Sequence, residues 1–228
     1  MLKRFKSAGR LALVAALVFT ASQALASGQQ NYHVTITNLT HSITFTPVLV
    51  ASHRRPVSVF EAGTPASDDL RALAESGAVA PMTATLQGNS DVVDVQNSGD
   101  LLKPGKSVTV IVSAAHGAKF ISVGSMMLPT NDGFIGLNSG AAPKRGSTTY
   151  FSPGYDAGSE INDELCANIP GPTCGGAGLS AGDDPVSEGY VHVHRGIHGI
   201  GNLAADAYDW RNPVARITVT PVRGKKRD

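Results

Sequence analysis

The chain has 228 residues, of which 42% are apolar and 16% are charged, and its formal net charge is +1. It has no basic stripe with interleaved aromatic residues, which excludes the usual surface for nucleic-acid binding. The length suits a single domain that buries a sizeable hydrophobic core.

The first 26 residues have the three parts of a secretory signal peptide. Basic residues fall within positions 3–10, an apolar segment covers 11–20, and Ala24-Leu25-Ala26 is the small-x-small pattern that precedes cleavage. The apolar segment is too short to span a bilayer, which takes roughly 20 residues, and no second segment of that length follows. We predict a signal peptide over 1–26, one domain over 27–228, a secreted or periplasmic location and no transmembrane segment after signal removal.

Two β-rich segments open the predicted domain. Residues 32–37 alternate apolar and polar side chains, which is the two-residue period of a half-buried strand. Residues 43–50 form a second β-rich segment that Pro47 interrupts, so we expect a sheet edge or a bulge there.

The clearest helix is predicted over residues 65–75. Thr64 is its expected N-cap, and Asp68 and Asp69 favour the positive end of the helix dipole. Gly77 is expected to end it. A helix this short, with one apolar face, is predicted to pack on the side of a sheet.

Four further strands are predicted, with a long irregular segment between the last two. The strands cover 92–95, 107–113, 120–128 and 217–222, and the Gly-, Pro- and Ser-rich segment covers 129–185. Short strands, turn residues and one minor helix indicate a mostly β protein. We predict an antiparallel β-sandwich with one short helix and long loops at one end.

The two cysteines, Cys166 and Cys174, both lie in that Gly-rich segment. In an oxidising compartment the simplest expectation is that they pair. The closed loop is small, so the entropic contribution of the bridge is on the order of 2–3 kcal/mol. We expect the bridge to stabilise its own loop more than the whole fold. The spacing of the two cysteines is not that of a zinc site.

Several segments, taken in order, resemble the spondin N-terminal domain family, an extracellular module that also occurs in bacterial secreted proteins. The matching segments are 32–38, 65–77, 124–136, 156–160 and 213–219. The strongest are Ser-Met-Met-Leu-Pro-Thr-Asn-Asp at 125–132 and Asp-Ala-Gly-Ser-Glu at 156–160.

The resemblance implies a C2-like β-sandwich that holds a calcium ion in the loops at one end. Carried over residue by residue, the implied calcium ligands are Asp132, Asp156 and Glu160. The family often has Asp where this chain has Glu160, and it has an aromatic residue where this chain has Gly133.

Calcium takes six to eight oxygen ligands, so carboxylates from two loops with nearby carbonyl groups and water form a sensible set. Further oxygen donors lie close by in Asn162, Asp163 and Glu164. The alternative is that these acids are solvated loop residues. The spacing is not that of an EF-hand loop.

A second candidate metal cluster is His192, His194 and His198. In a strand His192 and His194 point to the same face, and His198 could return after the turn at Gly196. Imidazole groups so arranged could bind Zn²⁺ or Cu²⁺. The alternative is a hydrogen-bonded, metal-free cluster, and no zinc-protease motif accompanies it.

No sequence pattern selects a catalytic site, because nucleophile-elbow, Walker and Rossmann motifs are absent. The leading hypothesis is a non-catalytic, secreted or periplasmic calcium-binding module for adhesion or recognition, with an extracellular protein, a glycan or a membrane surface as partner. The alternative is a periplasmic copper- or zinc-binding protein or metalloenzyme that uses the histidine cluster. A third hypothesis is a structural envelope protein without a small ligand.

Overall fold

A computed structural model describes residues 30–180 and 186–223, so the predicted signal peptide lies outside the described residues. The strands are β1 Gln30–Asn38, β2 Thr44–Phe45, β3 Leu49–His53, β4 Val92–Asn97, β5 Ser107–Ser113, β6 Phe120–Leu128, β7 Gly133–Ala141, β8 Thr148–Ser152, β9 Gly154–Asp156, β10 His192–Val193 and β11 Ala215–Arg223. The helices are α1 Asp68–Ser76, α2 Ala80–Gly88 and α3 Ala205–Tyr208, with a 3-10 turn at Ala115–Gly117.

The strands form two antiparallel sheets that face each other. The smaller sheet has the order β5-β1-β11-β8, and the larger has the order β10-β9-β7-β6-β3-β4 with β2 paired to β6. This arrangement confirms the predicted mostly β sandwich. Within the described residues, no helix has the length and apolar content needed to cross a membrane.

The smaller sheet follows the predicted alternation of side chains. Val34 and Ile36 in β1, like Val110 and Val112 in β5, are buried in the core between the sheets. Ile111, between the last two, is 50% exposed. The two-residue period holds because this sheet has one face against the core and one face in water.

The middle of the larger sheet is buried on both faces. In β3, Val50 packs into the core between the sheets, whereas Leu49 and Ala51 pack beneath the helices. On β6, a side chain at Gly124 would begin 3.2 Å from Leu73 of α1, so the glycine lets that helix approach closely. The helices therefore cover the outer face of this sheet and make a second apolar layer.

The prediction of one short helix was incomplete. α1 begins at Asp68, three residues later than predicted, because Ser67 and not Thr64 caps it by accepting a hydrogen bond from the Leu70 N–H at 3.2 Å. Gly77 ends it in the left-handed conformation, as predicted. α2 was not predicted, since its weak amphipathic pattern hides that Met82 and Leu86 are buried against the sheet.

The prediction that 129–185 is irregular was wrong for its first half, which contains β7, β8 and β9. β7 shows no alternation because both of its faces are buried: Phe134 lies under the helices and Ile135 lies in the core between the sheets. Gly136 marks a close approach, since a Cβ there would lie 2.5 Å from the Phe60 ring. The long irregular segment begins only after Asp156. Pro47 falls in a break between β2 and β3 and not at the expected edge or bulge of a single strand.

Candidate metal centre

Three neighbouring strands bring Asp132, Asp156 and His192 together at one end of the larger sheet. The backbone of Asp156 on β9 pairs with Gly133 of β7 on one side and with His192 of β10 on the other. Asp132 immediately precedes Gly133. The sheet register therefore places Asp132 and His192 on either side of Asp156.

Asp132 is fully buried, and its two carboxylate oxygens differ. Oδ2 accepts hydrogen bonds from the backbone N–H groups of Ser159 at 2.8 Å and Glu160 at 3.0 Å, and from the Ser159 hydroxyl at 3.2 Å. Oδ1 is buried and has no hydrogen-bond partner. Asp132 thus holds the 156–160 loop with one oxygen, while the other lacks a donor, and its carboxyl group is close enough to that of Asp156 to share a proton with it.

Asp156 is also fully buried, and it organises the loop that follows it. Its Oδ1 accepts the Gly158 N–H at 2.8 Å, and its Oδ2 accepts the Asn162 amide at 2.7 Å. Gly158 has φ +65°, and a Cβ there would lie 2.2 Å from the Tyr190 carbonyl oxygen, so only glycine fits. The Asp-Ala-Gly sequence therefore folds the loop back against residue 190.

The electrostatics of Asp132 and Asp156 favour a bound cation. Burial raises the pKa of Asp132 to about 8, and the neighbouring Asp156 carboxylate adds to the shift. Burial likewise raises the pKa of Asp156 to about 6, with a smaller contribution from Glu188. Among the ion pairs of the described residues, those of Asp156 are with His192 and His194 and not with Lys or Arg. Two neighbouring buried carboxylates then need a proton or a metal ion.

Glu160, the third predicted calcium ligand, follows the loop that Asp132 holds, but ligand atoms of Asp132, Asp156 and Glu160 do not all lie within 4.8 Å of one another. Burial raises the pKa of its carboxyl to about 8, followed in size by the effects of Glu75, Asp132 and Asp163. Its Oε2 is buried without a partner. The side chain lines a cavity of about 190 Å³ together with Asn131, Ile161, Asn168 and Ser180.

The nearby acids hold loops in place. Asp163 accepts a hydrogen bond from the Asn131 amide at 2.9 Å. Glu164 is buried with φ +57°, and its carboxylate accepts the backbone N–H groups of three consecutive residues, 198–200. These oxygens are therefore already occupied by hydrogen bonds within the protein.

The predicted histidine cluster is split. His192 Nε2 lies 3.7 Å from Asp156 Oδ1, and His194 Nε2 lies 3.8 Å from Asp156 Oδ2. His198 is exposed, and its backbone N–H is bonded to Glu164. Among the described residues, the group of three carboxylate or imidazole ligands with atoms within 4.8 Å of one another is Asp156, Glu188 and His192. Sequence reasoning missed Glu188, although it lies only four residues before His192.

His194 is part of the apolar core around the site. Its ring packs at 4.9 Å, between centroids, on the buried Trp210. Burial lowers its pKa to about 3, and the nearby His192 adds to the shift, so the ring is neutral. A Cβ at Gly133 would lie 3.1 Å from this ring and 2.6 Å from the Thr130 hydroxyl. The glycine at 133 thus leaves room for His194.

The predicted disulfide is confirmed. Cys166 and Cys174 are bonded, with Cα atoms 4.9 Å apart, in the irregular segment after β9. The Gly176 N–H, just after the bridge, donates a hydrogen bond at 3.0 Å to the Ile169 carbonyl inside the closed loop. The bridge fits an oxidising compartment.

Comparison with known proteins identifies the fold. The family model described as Spondin_N matches residues 28–142, which include β1 to β7 and Asp132 but end before Asp156 and Glu160. No curated protein matches the chain. Because the family match covers half of the chain, this protein belongs to the spondin N-terminal domain family.

Proposed function

We propose that this protein is a secreted or periplasmic recognition module of the adhesion type, non-catalytic, whose end loops are ordered by a calcium ion bound at Asp132, Asp156 and Glu160. The observation that carries the proposal is the buried Asp132 carboxylate, whose Oδ1 has no hydrogen-bond partner beside a second buried carboxylate. Family membership supports the recognition role.

Two of the three residues offer an oxygen that no donor occupies, and Asp156 would bind the ion beside the hydrogen bonds it already accepts. Asp132 Oδ1 and Glu160 Oε2 are buried oxygens without partners, and hard oxygen donors are the ligands that calcium takes. Bound calcium would supply the positive charge that lets these carboxylates stay ionised in a buried place.

The chain's own contacts explain how ion binding and loop order are coupled. Asp132 accepts the backbone N–H groups of Ser159 and Glu160, while Asp156 accepts that of Gly158. These hydrogen bonds are strongest when both carboxylates are ionised. An ion that keeps the two acids ionised therefore also fixes the loop from 156 to 160.

The ordered loops offer a surface for a partner. Ile161, Leu165 and Ile200 are large apolar side chains in the loops that follow the site, and each is at least 41% exposed. Exposed apolar side chains on fixed loops are typical of recognition surfaces. The partner in this proposal is an extracellular protein, a glycan or a membrane surface.

The proposal is tested by thermal unfolding and calorimetry, with calcium and with EDTA. We expect calcium to raise the melting temperature of the protein and of a control, Asp100→Asn, which removes the same charge from an exposed turn. Asp132→Asn is expected to abolish the calcium response. Absence of a calcium response in the unmodified protein, or an equal response in Asp132→Asn, would refute the proposal.

A further inference from the structure

We infer that Asp156, Glu188 and His192 form a zinc site. It lies on the side of Asp156 that faces β10, away from Asp132. His192 Nε2 lies 3.7 Å from Asp156 Oδ1 and 4.0 Å from Glu188 Oε1. These separations are too long for hydrogen bonds. They are close to the roughly 3.4 Å between two ligand atoms that share a tetrahedral zinc ion with bonds of about 2.0–2.1 Å.

The tautomer of His192 directs a lone pair into this group. Its Nδ1 lies 3.1 Å from the Val193 carbonyl oxygen, which can only accept a hydrogen bond, so Nδ1 carries the proton. In the neutral ring Nε2 is then unprotonated and faces two carboxylates. A histidine that donates one ring N–H to a backbone carbonyl and offers the other nitrogen is the usual form of a metal ligand.

His194 provides a second, independent observation. Its Nδ1 accepts the Gly196 N–H at 3.0 Å, so in the neutral ring Nε2 carries the proton and cannot bind a metal. That N–H is buried, has no partner, and lies 3.8 Å from Asp156 Oδ2. The side chain is 2% exposed and is aimed at Asp156. In this proposal His194 is therefore not a ligand but a positioning residue, whose N–H faces Asp156 Oδ2 without bonding it while the ion is absent.

The types of donor atom at this site favour zinc over calcium. One imidazole nitrogen and two carboxylates suit zinc, whereas calcium takes oxygen ligands only. Three protein ligands leave a fourth position for water or a partner's group. Glu188 and His192 keep 26% and 18% of their side-chain surface exposed, so an ion can reach the site. Arg195, whose Nη2 is 3.8 Å from Glu188 Oε1, is 71% exposed and can turn away.

The experiment is a zinc titration by calorimetry on protein purified without a histidine tag and freed of metal with EDTA. We expect one zinc ion per chain, an affinity at least about tenfold lower in His192→Ala and in Glu188→Gln, and no change in the matched control His198→Ala. Cobalt substitution is expected to give the intense visible absorption of a four-coordinate site, which His192→Ala removes.

Zinc binding that is absent, unchanged in both His192→Ala and Glu188→Gln, or lost equally in His198→Ala would overturn the inference. The zinc and calcium sites share Asp156, so Asp132→Asn separates them: it is expected to lose the calcium response and keep the zinc response. Zinc binding without calcium binding would refute the proposed function alone, and the reverse result would refute the zinc site alone.

Discussion

The sandwich body and the loop end of this molecule are held together by different forces. In the body, buried apolar side chains such as Ile36 and Ile217 from neighbouring strands fill the space between the sheets. At the loop end, buried carboxylates of Asp132, Asp156 and Glu164 bind backbone N–H groups of irregular segments. Apolar packing therefore stabilises the body without a ligand. The loop end, in contrast, concentrates buried negative charge that a cation would neutralise.

The largest expected effect is a loss of stability in the sandwich body. Ile36 is fully buried at the centre of the smaller sheet, and Ile36→Ala removes its packing and leaves a cavity. We expect a loss of about 2–5 kcal/mol in the free energy of unfolding, measured by urea denaturation. The loss should be the same with and without calcium; a loss that calcium reverses would contradict the division into two regions.

The next effect is a pH dependence of the free energy of unfolding, which arises from acids at the loop end. Asp132 and Glu160 have pKa values raised to about 8 by burial, so the folded protein binds protons that the unfolded chain releases. Without metal, the free energy of unfolding is expected to fall on the order of 2–4 kcal/mol between pH 6.5 and 8. This window lies above the ordinary histidine pKa of 6.5, where the lowered pKa of His194 has little influence.

Urea denaturation at several pH values in EDTA measures this slope. Asp132→Asn should reduce it, since the amide does not titrate, and calcium should flatten it by keeping the carboxylates ionised. A stability that rises with pH across the same window in EDTA would show that burial does not raise the pKa values of these acids.

The disulfide gives a smaller, local effect. Replacing Cys166 and Cys174 together by Ser is expected to cost about 2–3 kcal/mol at most, because the closed loop is short. The faster hydrogen exchange should be confined to amides near the bridge, such as that of Gly176, and leave β1 unchanged. Equal loss of protection in β1 would mean that the bridge holds the whole sandwich.

The smallest effect concerns the positioning role of His194. His194→Gln keeps a polar group beside Asp156 but changes its reach, and it should weaken zinc binding by about tenfold. Circular dichroism must show an intact fold, because the ring packs on Trp210. An unchanged zinc affinity would indicate that the ring only fills space.

The same two regions differ in how far the sequence predicts them. The alternation around Val34 and Val110 predicts the body's strands, because one face of that sheet is in water. β7 escaped prediction because both of its faces are buried, so Phe134 and Ile135 follow each other without alternation. α2 escaped because its burial comes from tertiary packing and not from its own pattern.

At the loop end, the motif at 156–160 and the histidines indicated the right neighbourhood but not the partners. Only the sheet register shows that His192 lies opposite Asp156, and only the fold of the segment before β10 places Glu188 beside them. The tautomers of His192 and His194 depend on hydrogen bonds to Val193 and Gly196 that no sequence pattern encodes.

Crystals grown with calcium would show whether the buried carboxylates of the loop end hold a divalent cation. We expect a peak in the anomalous difference map with Asp132 Oδ1 and an Asp156 oxygen at about 2.3–2.6 Å. A map without a peak there, with the two carboxyl groups hydrogen-bonded to each other or turned toward solvent, would contradict the proposed calcium site.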